Sequence, residues 1–486
     1  MNPMRIGMLR IALMIGALPP AVAGGTFYNN NQSAEYVRTF DRNSATDNAD
    51  IAYYNMAGTP MLPLGWTING SGQIAQQKAS VAALDNPVLG NRNDHCSSPA
   101  LQMPDFFAVY RKDDWATFGG LEAIGSTGSQ TWNGGLPTLD LRARESAGYG
   151  QASSSGVIGG DAYANTIAQG GSAAQAQAAA TAATLGTGYF PAISSLQISS
   201  YYLALRLGGA LQVDPDFAVA LALRYVKARQ ELVGGADGFC TYNQYNHNLA
   251  DHTRSIIDLA STAAGMSLEL GLDFHPGPAT VINFTYELGT RLDFRVNSHG
   301  GEDGGGLYPD PARGRLDLPK VVRLGLGTQL NPRTRLAFGL NAYLEASANQ
   351  ALLNNPGYGV AAGQAFSNSY EESTALEYQL NPRWLLSCGL NLSHSGQHRN
   401  ATLDVGLAGA QSTSLTEATG CQYRISPKLK LNAGLAHTGF VHPYRQADAG
   451  DAQVQAAFLA QGQVITPTKE FNRQSLILAI GMDYHF

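Results

Sequence analysis

Long apolar runs are missing from this chain of 486 residues. Beyond the N-terminal segment, no uncharged apolar stretch approaches the roughly 20 residues that a membrane helix needs. Charge is sparse and balanced, with 31 basic against 37 acidic residues, so nothing electrostatic favours a nucleic-acid partner. Four cysteines are too few for a disulfide scaffold. Any membrane crossing must therefore be made by strands that satisfy their backbone polar groups in a closed sheet.

Signals for catalysis and for metal binding are also missing. His394, Ser395 and His398 lie close together, but nothing marks the third group that would orient a nucleophile and its base. Gly304–Gly306 lies in a charged loop without a following helix, so no phosphate site is predicted there. No His, Cys or Asp cluster has metal-ligand spacing. The sequence therefore predicts no enzyme, no metal site and no cofactor.

The N-terminus has the pattern of an export signal. Arg5 and Arg10 precede an apolar run at residues 11–18, which is too short to span a bilayer. Ala21-Val22-Ala23 is a small-residue cleavage site, and Pro19-Pro20 argues against an ordinary buried helix. We predict that residues 1–23 are a signal peptide.

The C-terminus alternates strictly between two kinds of residue. Leu476, Leu478, Ile480 and Met482 share an apolar face, and small or charged residues occupy the opposite face. This pattern suits a strand with lipid on one side and a polar lumen on the other. An aromatic last residue, Phe486, is typical of the terminal strand of a bacterial outer-membrane barrel.

Turn signals divide the rest of the chain. They are Lys112–Asp114, Val213–Asp216, Phe274–Gly277, Leu330–Arg333, Leu380–Arg383 and Ile425–Lys428. Most successive turns are about 45 to 60 residues apart, enough for two strands and a longer outer loop. Six turns imply twelve strands, and a first strand near Trp66–Ala79 and a last at Gln474–Phe486 complete the set. We predict an all-β fold, a 14-stranded antiparallel transmembrane β-barrel.

Two segments lack strand patterns. Residues 24–63 are polar and rich in turns, and we predict that they form a hatch inside the lumen of a barrel made by residues 64–486; the alternative is a periplasmic tail. Residues 131–194 form a predicted long extracellular loop whose middle is partly helical.

Alternation assigns charged residues to the lumen. Arg206, Arg224, Arg291 and Arg323 share the parity of the polar face, together with several acidic residues. Lumen charges of both signs can pair across strands. These arginines are therefore either structural ion-pair partners or part of a lumen pocket.

In order along the chain, several motifs resemble the FadL-type family of outer-membrane fatty-acid and hydrocarbon transporters (OMPP1/FadL/TodX). Ser44–Asp50 followed by Asn55-Met56-Ala57 resembles the family's hatch pattern, and Pro104–Tyr110 followed by Trp115 and Phe118-Gly119-Gly120 resembles its second and third strands. The resemblance implies hatch roles for Asp47, Asp50, Asn55, Met56 and Ala57. Met56 stands where the family usually has proline.

The resemblance also implies a kinked third strand that opens the wall sideways. Gly119, Gly120 and Gly125 lie in that strand, where glycine fits either a break in the ladder or ordinary relief of strand twist. We expect passive uptake of a hydrophobic small molecule by a monomer in the outer membrane. Its other partners would be outer-membrane lipid, lipopolysaccharide and the barrel-assembly machinery.

Capture is expected at apolar side chains of the long loop: Leu185, Tyr189, Phe190 and Ile193. The alternative function is a general diffusion porin, against which the hatch-like segment argues. Whether the substrate is a fatty acid, an alkane or an aromatic stays open.

The cysteines allow one predicted bridge. Cys96 and Cys240 fall in outer loops, where an oxidising exterior favours a disulfide. Cys388 and Cys421 share parity with lipid-facing residues on neighbouring strands, and no bridge is expected between them.

Overall fold

The structure, a computed structural model, describes residues 30–84, 92–96, 101–132, 160, 162–185, 189–240, 251–298, 312–349, 367–396, 413–442, 444–447 and 468–486. The predicted signal peptide, residues 1–23, lies outside the described residues. Within the described ranges, no helix has both the length and the apolar composition to cross a membrane.

Eighteen strand segments form one sheet. They are β1 (Gly65–Leu84), β2 (Arg92–His95), β3 (Leu101–Lys112), β4 (Trp115–Trp132), β5 (Tyr189–Asp214), β6 (Phe217–Cys240), β7 (Asp251–Gly277), β8 (Thr280–Glu287), β9 (Asp293–Ser298), β10 (Ala312–Arg315), β11 (Lys320–Asn331), β12 (Thr334–Leu344), β13 (Ser369–Gln379), β14 (Trp384–His394), β15 (Thr413–Ser426), β16 (Leu429–Phe440), β17 (Tyr444–Ala447) and β18 (Thr468–His485). The short segments β2, β9, β10 and β17 extend longer neighbours, so the wall has fourteen strands.

The sheet closes on itself. β1 pairs antiparallel with β18 along its length, from Thr67 opposite His485 to Leu84 opposite Thr468. Closure of the first strand on the last satisfies their backbone groups within the sheet, which the bilayer interior requires. The predicted 14-stranded antiparallel barrel is confirmed.

Tight turns join the strands at one end of the barrel, and five of the six lie at the predicted positions. The exception is Phe274–Gly277, which remains in β7, with Pro278 and Ala279 forming the turn. The pairing of β7 with β8 shifts register between Phe274 and Gly277. A local irregularity therefore displaces this turn by a few residues.

Side chains alternate between the two faces of the wall. Leu205 and Leu207 on β5 are 47% and 58% exposed, whereas Arg206 between them is fully buried. The same outward apolar rows continue on Leu221 and Leu223 of β6. Lipid covers this outer face in a membrane, and the polar side chains point into the lumen.

One predicted lumen residue points the other way. Glu287 and Thr290 are both fully buried, although they are three positions apart, so the chain gains one residue between β8 and β9 and its alternation inverts. Here the regular ladder is replaced by a single bridge between Thr290 and Leu318. Arg291 therefore faces outward, with its side chain 67% exposed and 2.7 Å from Asp293. The assignment of Arg291 to the lumen was wrong.

Aromatic rings cluster near the tight-turn end. The ring centroids of Trp66 and Tyr110 are 5.1 Å apart, and those of Tyr484 and Phe486 are 4.8 Å apart. Such aromatic pairs are typical of the membrane–water boundary of a barrel.

The helices whose two ends both lie within uninterrupted described ranges are short. They are α1 (Ala34–Val37), α2 (Ile51–Tyr54), the 3₁₀ helix η1 (Met56–Met61), α3 (Ala173–Leu185) and the 3₁₀ helix η2 (Glu345–Ser347). α1, α2 and nearly all of η1 are buried although they precede the first strand. β4 reaches Trp132 and β5 starts at Tyr189, so both ends of the stretch predicted as a loop, residues 131–194, are strand.

Candidate functional site

The N-terminal segment of residues 30–62, hereafter the hatch, hydrogen-bonds to strands on opposite sides of the barrel. Gln32 Nε2 donates to the Ala123 carbonyl of β4 at 3.0 Å. Arg38 Nη1 pairs with Glu377 of β13 at 2.6 Å. Because β4 and β13 face each other across the closed sheet, the hatch fills the lumen between them.

Local capping and ion pairs fix the hatch. α1 begins after Ser33, whose Oγ accepts from the Tyr36 amide at 3.0 Å. Ser33 Oγ also donates to Asp50 at 2.8 Å, and Arg42 pairs with Asp50 at 2.6 Å and with Asp47 at 2.7 Å. Burial raises the pKa of Asp50 to about 6, against the opposing influence of Arg42. These contacts tie α1 to α2.

The turn after α2 depends on Asn55. Its Oδ1 accepts from the Gly58 amide at 3.1 Å, which caps η1. Met56 starts η1, and the wall makes room for it at Gly271 on β7. A Cβ on Gly271 would lie 2.8 Å from Met56 Cγ and 3.4 Å from Ala57 Cβ, so only glycine allows this approach. Met56 is thus accommodated by the wall and by the Asn55 cap.

A buried charge cluster lies against the hatch. It consists of Arg206, Arg224, Arg323, Glu122, Glu269 and Glu287, all at most 1% exposed. The register sets Arg206 directly opposite Arg224. Glu269 lies between them, 3.1 Å from Arg206 and 3.3 Å from Arg224. Glu287 lies 2.8 Å from Arg224 and also pairs with Arg323. Glu269 and Glu287 are each shared between two arginines, which keeps the like-charged arginines together.

The charge cluster also holds α2. Arg206 Nη1 donates to the carbonyls of Ala52 at 3.0 Å and Tyr53 at 3.1 Å. The Tyr53 ring centroid lies 4.6 Å from the Arg206 guanidinium carbon and 4.8 Å from that of Arg323. A cation at the carbonyl end of a helix is favourable, so the cluster links hatch and wall.

A second like-charged pair joins the hatch to the wall at another point. Asn69 Nδ2 donates at 2.9 Å to Glu35 of α1 and at 2.9 Å to Asp483 of β18. Asn432 Nδ2 donates to the same two carboxyl groups. Burial, then the Asp483 carboxyl beside it, raises the pKa of Glu35 well above its usual range.

The wall is incomplete between β3 and β4. These strands pair only from Lys112 opposite Trp115 to Phe106 opposite Leu121. Beyond that point β3 continues beside β1, and β4 continues beside β5. We call this unpaired junction the seam.

Two carboxyl groups stand at the start of the seam. Asp105 and Glu122 follow the last paired residues, so the register would place them opposite each other. Asp105 instead accepts from Ser71 Oγ on β1 at 2.6 Å, and Glu122 lies 3.1 Å from Arg206 on β5. Each carboxyl group thus bonds to the neighbouring strand that lies away from the seam. Like charges directly opposite each other would destabilise a ladder at this point.

Comparison with known proteins identifies the family. Residues 163–486, more than half of the chain, match the model of the outer membrane protein transport proteins (OMPP1/FadL/TodX). The chain belongs to this family. It is therefore an outer-membrane β-barrel whose family takes up hydrophobic substrates and contains transporters rather than enzymes. No curated protein matches the sequence.

Solved structures share the fold of this OMPP1/FadL/TodX member at low identity. A Pseudomonas aeruginosa FadL homologue has a TM-score of 0.62 at 12% identity, covering 95% of this chain and 99% of its own. The Pseudomonas putida toluene transporter TodX has a TM-score of 0.54 at 12% identity, covering 95% and 100%. The Ralstonia pickettii toluene transporter TbuX has a TM-score of 0.51 at 13% identity, covering 94% and 100%.

The three glycines predicted for the kink of this family member differ in position. Gly119 and Gly120 lie in the regularly paired part of β4. A Cβ on Gly120 would lie 2.6 Å from the Phe107 ring, so this glycine leaves space for the ring. Gly125 lies beside a register shift against β5, within the seam. The irregularity of β4 therefore begins above Gly119 and Gly120.

The capture residues predicted for this family member lie where the long loop meets the wall. Leu185 ends α3, and Tyr189, Phe190 and Ile193 are among the first residues of β5. Their side chains lie outside the described part of the structure. Their role remains a prediction.

Sequence reasoning missed Glu122, Asp105 and Tyr53. Glu122 is the single charged residue in the sequence Trp115–Trp132, and that isolation was the available signal. Asp105 lies in a recognised motif without an assigned role. Tyr53 carried no signal, because its contacts depend on how the hatch docks.

The predicted bridge between Cys96 and Cys240 is contradicted. The Cys96 thiol is free, and its amide bonds to Ala79 of β1. Cys240 ends β6, with β3, β4 and β5 between, so the two residues are on different parts of the wall. Cys388 lies opposite Thr419, which leaves it out of register with Cys421. Among the described residues, no group of three or more His, Cys, Asp or Glu is arranged to hold a metal ion.

Proposed function

We propose that this barrel takes up hydrophobic small molecules, fatty acids or hydrocarbons, and releases them sideways through the seam. The observation that carries the proposal is that β3 and β4 stop pairing at Phe106 and Leu121 while both strands continue. The hatch fills the lumen at the same time, so a straight polar path along the axis is obstructed. A hydrophobic molecule that leaves through the wall enters lipid without crossing water.

We assign the capture step to four residues because of their position in the barrel. Leu185, Tyr189, Phe190 and Ile193 stand between α3 and β5, at the end opposite the tight turns. Apolar side chains there would collect the substrate before it reaches the seam. We further propose that the protein acts as a monomer, with lipopolysaccharide around its outer part, after insertion by the barrel-assembly machinery.

A reversible bridge across the seam tests the route. In a background with the native cysteines replaced by serine, Pro104→Cys with Ala123→Cys places thiols on positions that the register would pair. Oxidation should tie the strands together, since a disulfide holds Cα atoms within roughly 7 Å. We expect uptake by cells to fall at least tenfold on oxidation and to return on reduction.

The matched control is Ala108→Cys with Gly119→Cys, which bridges a pair already in the ladder. Its oxidation should leave uptake unchanged. Full uptake by the oxidised seam variant, with the bridge between positions 104 and 123 verified by peptide mapping, would refute the lateral route.

The rival function is a general diffusion porin. Its lumen must be open to polar solutes, whereas the hatch here is bonded to strands on both sides of the lumen. Liposomes containing the protein should therefore not swell in isosmotic sugar. Swelling at porin rates would favour the rival.

A further inference from the structure

The buried interior is unusually acidic. Among the described buried residues, fourteen are Asp or Glu and five are arginine, and no Lys or His joins them. The arginines are Arg38, Arg42, Arg206, Arg224 and Arg323. Carboxyl groups therefore far outnumber the cations that a bound anion would need.

Each of these five arginines is already engaged by a carboxyl group. Arg38 lies 2.6 Å from Glu377, and Arg42 lies 2.6 Å from Asp50. Arg206, Arg224 and Arg323 share the glutamates of the charge cluster. A substrate carboxylate would have to displace a protein carboxylate that is preorganised and costs nothing to bring in.

The seam presents the same chemistry at its edge. Asp105 and Glu122 are the first residues beyond the last β3–β4 pair, one on each side. The guanidinium of Arg206, which pairs with Glu122 at 3.1 Å, also lies 3.1 Å from Glu269. Neither carboxyl group can neutralise an incoming anion, and transfer of an unpaired anion through such a site is costly.

We propose that Asp105 and Glu122 make the seam selective for uncharged hydrophobic molecules and against molecules that carry a carboxylate. This deepens the proposed function and rests on it. Of the substrates that the sequence left open, the alkane or aromatic class is favoured over the fatty-acid anion.

The test compares probes of equal chain length. A Gram-negative host without its own long-chain fatty-acid transporter expresses the protein, and initial uptake of radiolabelled 1-hexadecanol, palmitate and hexadecylamine is measured. The wild type should take up the alcohol at least tenfold faster than the acid. The variant Asp105→Asn with Glu122→Gln should narrow this ratio at least fivefold by faster acid uptake, because two carboxyl groups are removed and Arg206 loses one partner.

Two further variants keep the result interpretable. Asp105→Asn alone preserves an acceptor for Ser71 and should narrow the ratio about twofold even if the double variant does not fold. Glu345→Gln is the matched control, because Glu345 also accepts from one serine, Ser369 at 2.6 Å, but on the far side of the barrel. It should leave the ratio unchanged. Heat-modifiable gel mobility verifies that each barrel is folded.

Failures of the two proposals are distinguishable. Equal uptake of alcohol and acid by the wild type, or an unchanged ratio in both folded seam variants, overturns the selectivity. Preference for the amine over the alcohol also overturns it, because the seam would then select cations. Uptake of no probe above the empty host refutes the proposed function itself.

Discussion

Two parts of the wall differ in whether strand pairing continues where groups of like charge face each other. One is the wall formed by β5, β6 and β7, and the other is the seam between β3 and β4. In the first, strands of 26, 24 and 27 residues pair along almost their entire length. Arg206 stands directly opposite Arg224 without interrupting that ladder. In the second, pairing stops where Asp105 and Glu122 would meet.

The position of the counter-charge explains the difference. Glu269 contacts both Arg206 and Arg224, so one carboxylate holds both cations. At the seam, Arg206 contacts Glu122 from the β5 side, and Asp105 bonds to Ser71 on the β1 side. In the β5–β6 ladder a shared counter-ion lies between the like charges, whereas at the seam the partners of the two carboxyl groups lie on opposite sides.

The largest expected effect comes from removing a shared counter-ion. Glu287→Gln deprives Arg224 and Arg323 of a buried partner and should lower the free energy of unfolding by about 3–5 kcal/mol. Urea unfolding of the barrel refolded in lipid vesicles measures it. The control Glu231→Gln removes an exposed pair with Arg229 and should cost less than about 1 kcal/mol. Equal losses of unfolding free energy in the two variants would contradict the stabilising role proposed for the shared Glu287 carboxylate.

Gly119 and Gly120 lie in the regularly paired part of the β3–β4 junction, and substituting them with alanine should destabilise the barrel to different extents. A Cβ at Gly120 would lie 2.6 Å from the Phe107 ring, so Gly120→Ala should cost about 1–3 kcal/mol. A Cβ at Gly119 would lie 3.2 Å from the flexible end of Leu207, so Gly119→Ala should cost clearly less. The same unfolding assay ranks the two, and the reverse order would show that Phe107 is placed differently.

An opposite charge should lengthen the ladder at the seam. Asp105→Lys faces Glu122 across the strands, and such pairs contribute roughly 0.2–1 kcal/mol. Hydrogen exchange at residues 122–125 should slow, and uptake should fall as the opening narrows. Asp105→Ala removes the charge without adding a cation and serves as the control; equal protection in both variants would exclude ion pairing as the cause.

The smallest effect is local and depends on pH. The pKa of Glu35 is raised by burial and by Asp483, so the folded protein favours its protonated form. Docking of α1 should therefore be strongest below the ordinary pKa of 4.5 and weaken as pH rises towards the raised value. Hydrogen exchange of residues 34–38, corrected for its intrinsic pH dependence, should accelerate over that window. Glu35→Gln should remove this dependence, and its persistence would assign the effect to another group.

Alternation along each strand, together with the turn signals between strands, was enough to predict the barrel, its strand number and most of the lumen residues. Arg206, Arg224 and Arg323 were placed correctly because their strands are uninterrupted. Arg291 was not, because one extra residue between Glu287 and Thr290 inverts the faces, and nothing local in the sequence marks it.

Long-range contacts account for the remaining differences. The free thiol of Cys96 depends on which strands separate it from Cys240, which loop composition does not encode. The seam begins at Glu122 rather than at Gly119 and Gly120, and Glu122 pairs there with Arg206, a residue 84 positions away. The sequence pattern predicts which face of a strand a side chain occupies. The site also depends on which residues of distant strands come into contact.

The unequal lengths of the strands set the height of the wall. About 10 residues suffice for a tilted strand to cross the membrane, whereas β5, β6 and β7 have 24 to 27. With the aromatic pairs fixing the tight-turn end at one boundary, the surplus projects on the order of 40 Å beyond the opposite boundary. One side of the barrel thus rises well above the membrane, and a molecule that approaches from that end meets this raised wall beside the seam before it meets the membrane.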